Sequence, residues 1–264
     1  MRRLNNPIRF IFIILLSTGC KKDSSSGYER HEYISIENDT IPYRLLIPEN
    51  YNVNLAYPLV IALSGAGGRG VDNQRQLQKS WISKELTLEQ NREAHPCFVF
   101  VPQCPPDKNF GHALTLNQKA QLTDINEPGI DSLLFVIIEE LVSNFNIDQK
   151  RLYVFGESMG AIGGWGLITQ KQDLFAAAIL VSGGAYYKHG SDLAQFPIWA
   201  LHGKEDKIVP NYLTKEIILE MEKNGGSPIY SEVEDIGHNL PVILDSTSGL
   251  IEWLFKQNNQ DMLN

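Results

Sequence analysis

The chain has 264 residues, and 43% of them are apolar, which is enough to bury one sizeable hydrophobic core. Its formal net charge is −8, and the body of the chain has no run of lysine and arginine. A nucleic-acid-binding protein would need a basic face. We therefore expect a single globular domain that has no nucleic acid as a partner.

The first residues have the pattern of an export signal. Arginines flank a short apolar run, residues 10–16, which is followed by small residues and Cys20. The run is far shorter than the ~20 residues that a membrane-spanning helix requires, and this is typical of a signal peptide. Because a cysteine follows it, the segment resembles a bacterial lipoprotein signal, in which Cys20 is lipidated and becomes the mature N-terminus. An ordinary cleaved signal with an incidental cysteine is the alternative.

These features predict three parts of the chain. Residues 1–19 are expected to be the signal peptide, 20–30 a flexible polar tether, and 31–258 the globular domain. The protein would then be secreted and held at a bacterial membrane, in the periplasm or at the cell surface, through its lipid alone.

Strand-like and helix-like segments alternate along the globular part. Residues 33–36 and 41–47, separated by a turn, predict an antiparallel hairpin. Continuous apolar runs, which indicate central parallel strands covered on both faces, follow at 59–63, 98–101, 152–155, 176–181 and 198–201, with a weaker last strand at 230–233. Helices are predicted at 130–145, directly after residue 158, at 213–223 and at 249–255. The alternation predicts an α/β fold with a mostly parallel central sheet flanked by helices.

Two further cysteines bracket one of these strands. Cys97 and Cys104 would be separated by roughly 23 Å in an extended segment, whereas a disulfide requires Cα atoms within about 7 Å. The spacing of metal ligands is also missing, because no second Cys/His pair accompanies them. We expect two buried thiols and no metal ion.

The most informative motif is Gly156-Glu157-Ser158-Met159-Gly160, which lies between an apolar strand and a helix. Strand, G-x-S-x-G and helix together are the sequence form of a nucleophile elbow, a sharp turn that exposes a serine hydroxyl above the edge of a sheet. The two flanking glycines avoid crowding against neighbouring backbone. Glycines 160, 163, 164 and 166 indicate a helix that approaches the sheet closely, and Trp165 is expected in the core.

A serine nucleophile needs a base, and the base needs an acid to orient it. His238 lies in the loop after the last predicted strand and is the candidate base. His202 ends a buried strand, where a structural hydrogen bond is expected, and His189 lies in a polar loop without an acidic partner.

The candidate acid is Asp206, which follows the penultimate strand at the turn into the next helix. Glu205 is the alternative, and Glu234 and Asp235 would serve only in an unusual order. The chain order serine, acid, histidine is that of α/β-hydrolases.

An oxyanion hole requires backbone N–H donors beside the nucleophile, each worth roughly 3 kcal/mol to the transition state. Met159, directly after the serine and at a helix N-terminus, is one predicted donor. Ala66, in the glycine-rich loop after the strand that ends at Leu63, is the other. A phosphate-binding interpretation of this loop fails, since no Lys-Ser/Thr follows it.

Together these motifs resemble the α/β-hydrolases, specifically small secreted esterases similar to feruloyl and acetyl-xylan esterases and to the polyhydroxybutyrate-depolymerase-like predicted peptidases. The segments that carry the resemblance are 63–70 with Asp72 and Asn73, 101–105, the Ser158 motif, 173–178, the Asp206 turn and 237–239. The resemblance implies hydrolysis of carboxylic esters through an acyl-enzyme, with no cofactor. This sequence departs from the family at Ser64, where histidine is usual, and near Phe110, where the family tends to have tryptophan.

Two segments bear on the substrate. Only about a dozen residues lie between the strand that ends near 183 and the one that begins at 198, which leaves no room for a large cap. An open cleft suits esters on bulky or polymeric carriers. The long stretch 105–127 is the candidate substrate-facing wall, and Phe110 and His112 are either substrate contacts or loop packing.

The favoured hypothesis is a serine carboxylesterase that acts on acylated sugars or related esters. A serine peptidase of the prolyl-oligopeptidase type is the alternative within the hydrolases, because acyl-enzyme chemistry also cleaves amides. A surface lipoprotein that uses the same fold only to bind a ligand is the alternative outside them.

Overall fold

The computed structural model of the protein describes residues 27–111, 114–116, 122–124 and 129–259. The predicted signal peptide, Cys20 and His112 lie outside the described residues. Within the described ranges, no helix combines the length and the hydrophobicity needed to cross a membrane.

Eight strands form one sheet, in the order β1-β2-β4-β3-β7-β8-β9-β10. Their bounds are β1 (Glu29–Ile34), β2 (Thr40–Leu46), β3 (Tyr57–Leu63), β4 (Phe98–Pro102), β7 (Ile147–Glu157), β8 (Ala177–Val181), β9 (Ile198–Gly203) and β10 (Ile229–Val233). Strand β2 pairs antiparallel with β1 and with β4, and all the other neighbours pair in parallel. The mostly parallel sheet with an N-terminal antiparallel hairpin is therefore confirmed.

The central strand β3 shows why continuous apolar runs become inner strands. Its side chains alternate between two hydrophobic clusters, with Leu59, Ile61 and Leu63 on one face of the sheet and Val60 and Ala62 on the other. A strand covered on both faces has no polar side and reads as unbroken hydrophobic sequence.

Helices cover both faces. Their bounds are α1 (Arg75–Gln78), α2 (Trp81–Glu85), α3 (Glu89–Ala94), α4 (Asp131–Asn144), α5 (Met159–Gln170), α6 (Tyr212–Lys223), α7 (Leu240–Asp245) and α8 (Leu250–Lys256). The predictions for α4, α5, α6 and α8 are confirmed. The sequence did not predict α1, α2, α3 and α7, because none of them is longer than 6 residues and so short a helix shows no clear apolar period.

Two segments differ from expectation. Regular structure begins before residue 31, since Tyr28 is buried and donates its hydroxyl to the Ser83 carbonyl at 2.8 Å, and β1 starts at Glu29. The stretch 105–127, expected to be irregular, contains a small antiparallel pair, β5 (Leu114–Leu116) and β6 (Leu122–Asp124). Both differences lie in segments that have few apolar residues or only short apolar runs, so their sequences show no clear strand pattern.

The sequence predictions about the packing of Trp165 and of the two cysteines are also confirmed in the described residues. Trp165 is buried in the core, as are the free thiols Cys97 and Cys104. Burial raises the thiol pKa of Cys97 to about 12 and that of Cys104 to about 11, so both side chains stay protonated near neutral pH.

Candidate active site

The parallel strands bring their carboxyl ends to one edge of the sheet, where ligand sites of open α/β sheets lie. Ser158 follows β7, and the glycine-rich loop 64–70 follows β3. Asp206 follows β9, and His238 follows β10. Four segments that are far apart in sequence therefore meet at this edge.

Ser158 occupies a strained turn between β7 and α5. Its backbone has φ +54° and ψ −116°, a positive φ that residues other than glycine rarely adopt. Backbone hydrogen bonds hold it from both sides, because its N–H donates to the Val181 carbonyl at 2.8 Å and its own carbonyl accepts from Ile162 at 3.0 Å. The turn is the nucleophile elbow that the sequence predicts.

The glycines on either side of the elbow have no room for a side chain. A Cβ on Gly156 would lie 2.4 Å from the Gly160 carbonyl oxygen. A Cβ on Gly160 would lie 2.0 Å from the Leu63 carbonyl oxygen, in the backbone of β3. The helix that starts at the elbow thus rests directly on the central strand.

Asp206 is fixed by the turn that follows β9. Its Oδ1 accepts the backbone N–H groups of Ile208 and Val209, both at 2.9 Å. Its side chain is fully buried, and the second oxygen, Oδ2, lies 2.6 Å from His238 Nδ1. Two backbone donors on one oxygen leave the other one aimed at the histidine.

His238 connects the acid to the serine. Its Nε2 lies 2.8 Å from Ser158 Oγ, and its Nδ1 faces Asp206. The loop that carries it lies tightly on the end of β9, since a Cβ on Gly203 would lie 2.3 Å from the Gly237 carbonyl oxygen. The structure thus brings the three predicted side chains into one continuous chain of hydrogen bonds.

The alternative acids lie elsewhere. Glu205 is exposed, and its backbone N–H donates to the Ile236 carbonyl at 2.8 Å, in the loop that carries His238. Glu234 forms a surface ion pair with Lys204 at 2.7 Å, and Asp235 is exposed. Asp206 is the carboxylate that contacts the His238 ring.

His202 has the expected structural hydrogen bonds and one further contact. Its Nε2 lies 2.9 Å from the Val209 carbonyl and 3.3 Å from Asp206 Oδ2, and its Nδ1 lies 2.8 Å from Thr214 Oγ1. Burial lowers the pKa of this histidine, which favours a neutral ring. Asp206 is therefore flanked by two imidazoles, a detail that the spacing H-G-x-x-D hints at but does not establish.

One predicted oxyanion donor follows the serine directly, and the loop that carries the other contacts the serine at the preceding residue, Gly65. Met159 is the first residue of α5, so its N–H has no intrahelical carbonyl partner. Ala66 opens a 3-10 turn, Ala66–Gly68, in the loop after β3. The preceding Gly65 is against the elbow, since a Cβ placed there would lie 3.5 Å from Ser158 Cβ.

Glu157 is a group at the site that sequence reasoning missed. It is buried directly before Ser158, and one of its carboxylate oxygens accepts the Trp81 backbone N–H at 2.7 Å. Burial raises its pKa to about 7, against the opposing effects of that hydrogen bond, of Lys84 and of Ser80. The groups that surround the Glu157 carboxylate belong to α2 and to Ser80, directly before α2. Because these residues are far from Glu157 in sequence, no local sequence pattern indicates its environment.

The other candidate residues are not at this hydrogen-bonded centre. Phe110 is fully buried and packs against α5, where a Cβ on Gly163 would lie 2.4 Å from Phe110 Cβ, so loop packing is its role. His189 lies in a 3-10 turn, Tyr187–Gly190, in the connection between β8 and β9. Among the described residues, no group of three or more His, Cys, Asp or Glu side chains could hold a metal ion.

The sheet order, the elbow and the position of the three side chains define the fold as that of an α/β-hydrolase. Within that class the chain belongs to the esterase family described as "Putative esterase", whose model matches residues 35–233.

Individual relatives point the same way. The chain is 26% identical over 196 residues to "Probable feruloyl esterase C" of Aspergillus niger, which covers 74% of this chain and 63% of that protein. It is similar to the crystal structure of a thermostable esterase, with a TM-score of 0.78 and 31% identity over 88% of this chain and 63% of the other. A ferulic acid esterase from Anaeromyces mucronatus shares the fold, with a TM-score of 0.64 at 17% identity, over 93% of this chain and 96% of the other. The chain spans about 63% of the length of the Aspergillus niger relative.

Proposed function

We propose that this protein is a serine carboxylesterase that cleaves carboxylic esters through an acyl-enzyme on Ser158. The observation that carries the proposal is the unbroken relay from Asp206 through His238 to Ser158, with hydrogen-bond lengths of 2.6 and 2.8 Å. Such a relay activates a hydroxyl that is otherwise a poor nucleophile.

The acylation step follows from the geometry. Ser158 Oγ bonds to the ester carbonyl carbon while its proton passes to His238 Nε2. Asp206 holds the imidazole in the required tautomer and stabilises its positive charge. When the tetrahedral intermediate collapses, the bond to the alcohol oxygen breaks and the alcohol leaves with the proton from His238.

Deacylation repeats the same proton transfers with water. His238 takes a proton from a water molecule as its oxygen attacks the acyl carbon, and the proton returns to Ser158 as the carboxylic acid leaves. In both steps the backbone N–H groups of Met159 and Ala66 are the proposed donors to the oxyanion. Each such donor is worth about 10²- to 10³-fold in kcat.

Acylated carbohydrates are the proposed substrate class. Two observations support it: the similarity of the chain to proteins named as feruloyl and ferulic acid esterases, and the short connection between β8 and β9. That connection contains one 3-10 turn and no cap helix, which favours a cleft open to esters on large carriers. No cofactor enters the proposed reaction.

The activity is tested with Ser158→Ala and a colorimetric ester such as p-nitrophenyl acetate. We expect kcat to fall at least about 10⁴-fold while the circular dichroism spectrum stays unchanged. A fluorophosphonate should label the native protein on the peptide that contains residue 158 and should not label the variant there. Near-normal hydrolysis by a pure sample of the variant would refute the proposal.

A substrate panel separates the hypotheses. Methyl ferulate, feruloylated and acetylated sugars, simple short-chain esters and a peptide p-nitroanilide are compared by kcat/KM. Preference for the sugar esters supports the proposed class, whereas preference for the anilide supports the serine peptidase alternative. Binding of a sugar ester without any turnover would support the non-catalytic lipoprotein instead.

We also propose that Cys20 is lipidated and anchors the protein to a bacterial envelope membrane. The support is the sequence alone, namely the short apolar run that ends in small residues before Cys20. Metabolic labelling with an alkynyl fatty acid tests this, because the native protein should incorporate label and Cys20→Ala should not. Equal labelling of the two proteins would contradict the proposal.

A further inference from the structure

The loop that carries Ala66 is held by one buried side chain from a different strand. Gln103 directly follows β4 and is fully buried. Its backbone N–H donates to the Pro42 carbonyl at 2.8 Å, which ties it to the sheet. Its carboxamide faces the glycine-rich loop.

Three hydrogen bonds join that carboxamide to residues 68–73, in the second half of the glycine-rich loop and directly after it. Gln103 Oε1 accepts the Asn73 backbone N–H at 2.5 Å. Gln103 Nε2 donates to the Gly68 carbonyl at 3.2 Å and to Asp72 Oδ1 at 2.8 Å. One amide group therefore binds Gly68 within the loop and Asp72 and Asn73 directly after it.

The contact with Gly68 reaches the proposed oxyanion donor within two residues. Gly68 ends the 3-10 turn that Ala66 begins, and its N–H donates to the Gly65 carbonyl at 2.9 Å. The other end of the turn, Gly65, lies against Ser158. The turn is thus fixed between the elbow on one side and the Gln103 carboxamide on the other.

The remaining loop contacts show that Gln103 has little freedom to move. A Cβ on Gly70 would lie 2.7 Å from Gln103 Nε2, so the loop backbone is packed directly on the amide. The Gly70 N–H donates to the neighbouring Cys104 carbonyl at 3.0 Å. Asp72 is further held by the Gln74 and Arg75 N–H groups at 2.9 and 3.1 Å.

We infer that Gln103 is a positioning residue for the oxyanion hole, which sets the orientation of the Ala66 N–H through the Gly68 carbonyl, Asp72 and Asn73. This inference rests on the proposed function. An oxyanion donor contributes only when it is pre-organised at the place where negative charge develops. A loop released at Gly68 would keep the serine relay intact and lose part of that pre-organisation.

The test uses Gln103→Met, which keeps the volume and removes all three hydrogen bonds. With p-nitrophenyl acetate, we expect kcat to fall about 10- to 100-fold, which is less than the full loss of one donor. KM should change less than about threefold, because the donor acts on the transition state. Affinity for phenylboronic acid, which forms a tetrahedral adduct on the serine, should fall in parallel with kcat.

Tyr153→Phe is the matched control. Tyr153 is also fully buried, and the substitution removes the hydrogen bond from its hydroxyl to the Gln257 carbonyl at 2.8 Å, which involves no residue of the segment 64–73. We expect this variant to lose about as much thermal stability as Gln103→Met. Its kcat should stay within about threefold of the native value, a smaller change than the loss of one oxyanion donor causes. If both variants lose stability and kcat equally, Gln103 is only a structural residue and the inference is wrong.

A second variant covers the case in which Gln103→Met fails to fold. Asp72 has a side chain that is 43% exposed, so Asp72→Ala should fold and remove one of the three ties. We expect kcat to fall about threefold to tenfold, a fraction of one donor's worth, with KM little changed. A native kcat for either folded variant overturns the inference. If Ser158→Ala retains activity, the proposed function fails instead.

Discussion

The two sides of the site hold their residues by different physical means. On the serine side, backbone lies against backbone, and the positions of Gly156 and Gly160 leave no space for one additional carbon atom. On the acid–base side, the backbone of the loop after β10 also lies against Gly203, but the side chains are oriented by hydrogen bonds, since Asp206 accepts two backbone N–H groups and faces His238.

This difference determines which amino-acid substitutions each side of the site tolerates. Steric positioning fails when an atom is added, because close-packed backbone cannot relax. Hydrogen-bonded positioning fails when a donor or acceptor changes its chemistry, even if the shape is kept.

The largest effect is expected on the acid–base side, from Asp206→Asn. The backbone donors at Ile208 and Val209 keep the carbonyl oxygen of the new amide, so its NH₂ group faces His238 Nδ1. The ring is then held with its proton on Nε2 and cannot accept the proton of Ser158. We expect kcat to fall about 10⁴-fold, measured on p-nitrophenyl acetate at saturation.

Glu205→Gln is the control for that substitution, since it removes a neighbouring exposed carboxylate. Its kcat should stay within about twofold of the native value, as expected for a surface change away from the relay. If Glu205→Gln abolished turnover and Asp206→Asn did not, the acid would be misassigned.

On the serine side, Gly160→Ala should cost the fold rather than the chemistry. The added Cβ would meet the Leu63 carbonyl oxygen at 2.0 Å and its carbon at 2.4 Å, both in the backbone of β3. We expect a loss of at least about 4 kcal/mol in unfolding free energy, from urea denaturation. An alanine variant of native stability would show that α5 can shift on the sheet, and would contradict the claim that close backbone packing positions the serine side of the site.

The sequence predicted those parts of the site that depend on local pattern. The elbow is recognisable because strand, G-x-S-x-G and helix are contiguous, and Asp206 and His238 follow predicted strands. The contacts of Glu157 and Gln103 could not be predicted, because their partners Trp81 and Gly68 lie far away in sequence and no local motif links them. The same holds for the fold, where doubly covered strands such as β3 are evident and helices of one turn, such as α1, are not.

Glu157→Gln tests the buried carboxylate directly before Ser158, and its expected effect on stability depends on pH. The unfolded glutamate ionises near its ordinary pKa of 4.5, while burial raises the folded pKa to about 7. The contribution of the Glu157 side chain to stability is therefore fully present below about pH 4.5 and is lost as the pH rises to about 7. Glutamine does not ionise, so the variant should gain about 3 kcal/mol relative to the native protein between pH 4.5 and pH 8.

Urea denaturation of both proteins at pH 4.5 and pH 8 measures that gain. The relevant quantity is the difference between variant and native protein at each pH, which cancels the titration of all other groups. Glu205→Gln, which removes an exposed carboxylate, should show no such change. An equal difference at the two pH values would mean that folding does not raise the pKa of Glu157.

The smallest expected effect is a second gain in stability, at a glycine of α5 that is not crowded. The sequence predicts from glycines 160, 163, 164 and 166 that this helix approaches the sheet closely, and the first three are crowded whereas Gly166 is not. A Cβ on Gly166 would meet nothing nearer than Gly111 Cα at 3.9 Å, an ordinary contact, whereas on Gly163 it would lie 2.4 Å from Phe110 Cβ. Gly166→Ala should therefore stabilise the protein by about 1 kcal/mol through helix propensity.

A melting curve resolves this change, since about 1 kcal/mol raises the Tm of a domain of this size by about 2–4 °C. Gly163→Ala, one turn earlier on the same helix, is the matched variant and should lower the Tm. Stabilisation at 166 with destabilisation at 163 would show that the crowding against Phe110 at position 163 does not extend to position 166. A lower Tm for both would mean that the helix is packed tightly along its length, and that the steric side of the site extends further than the elbow.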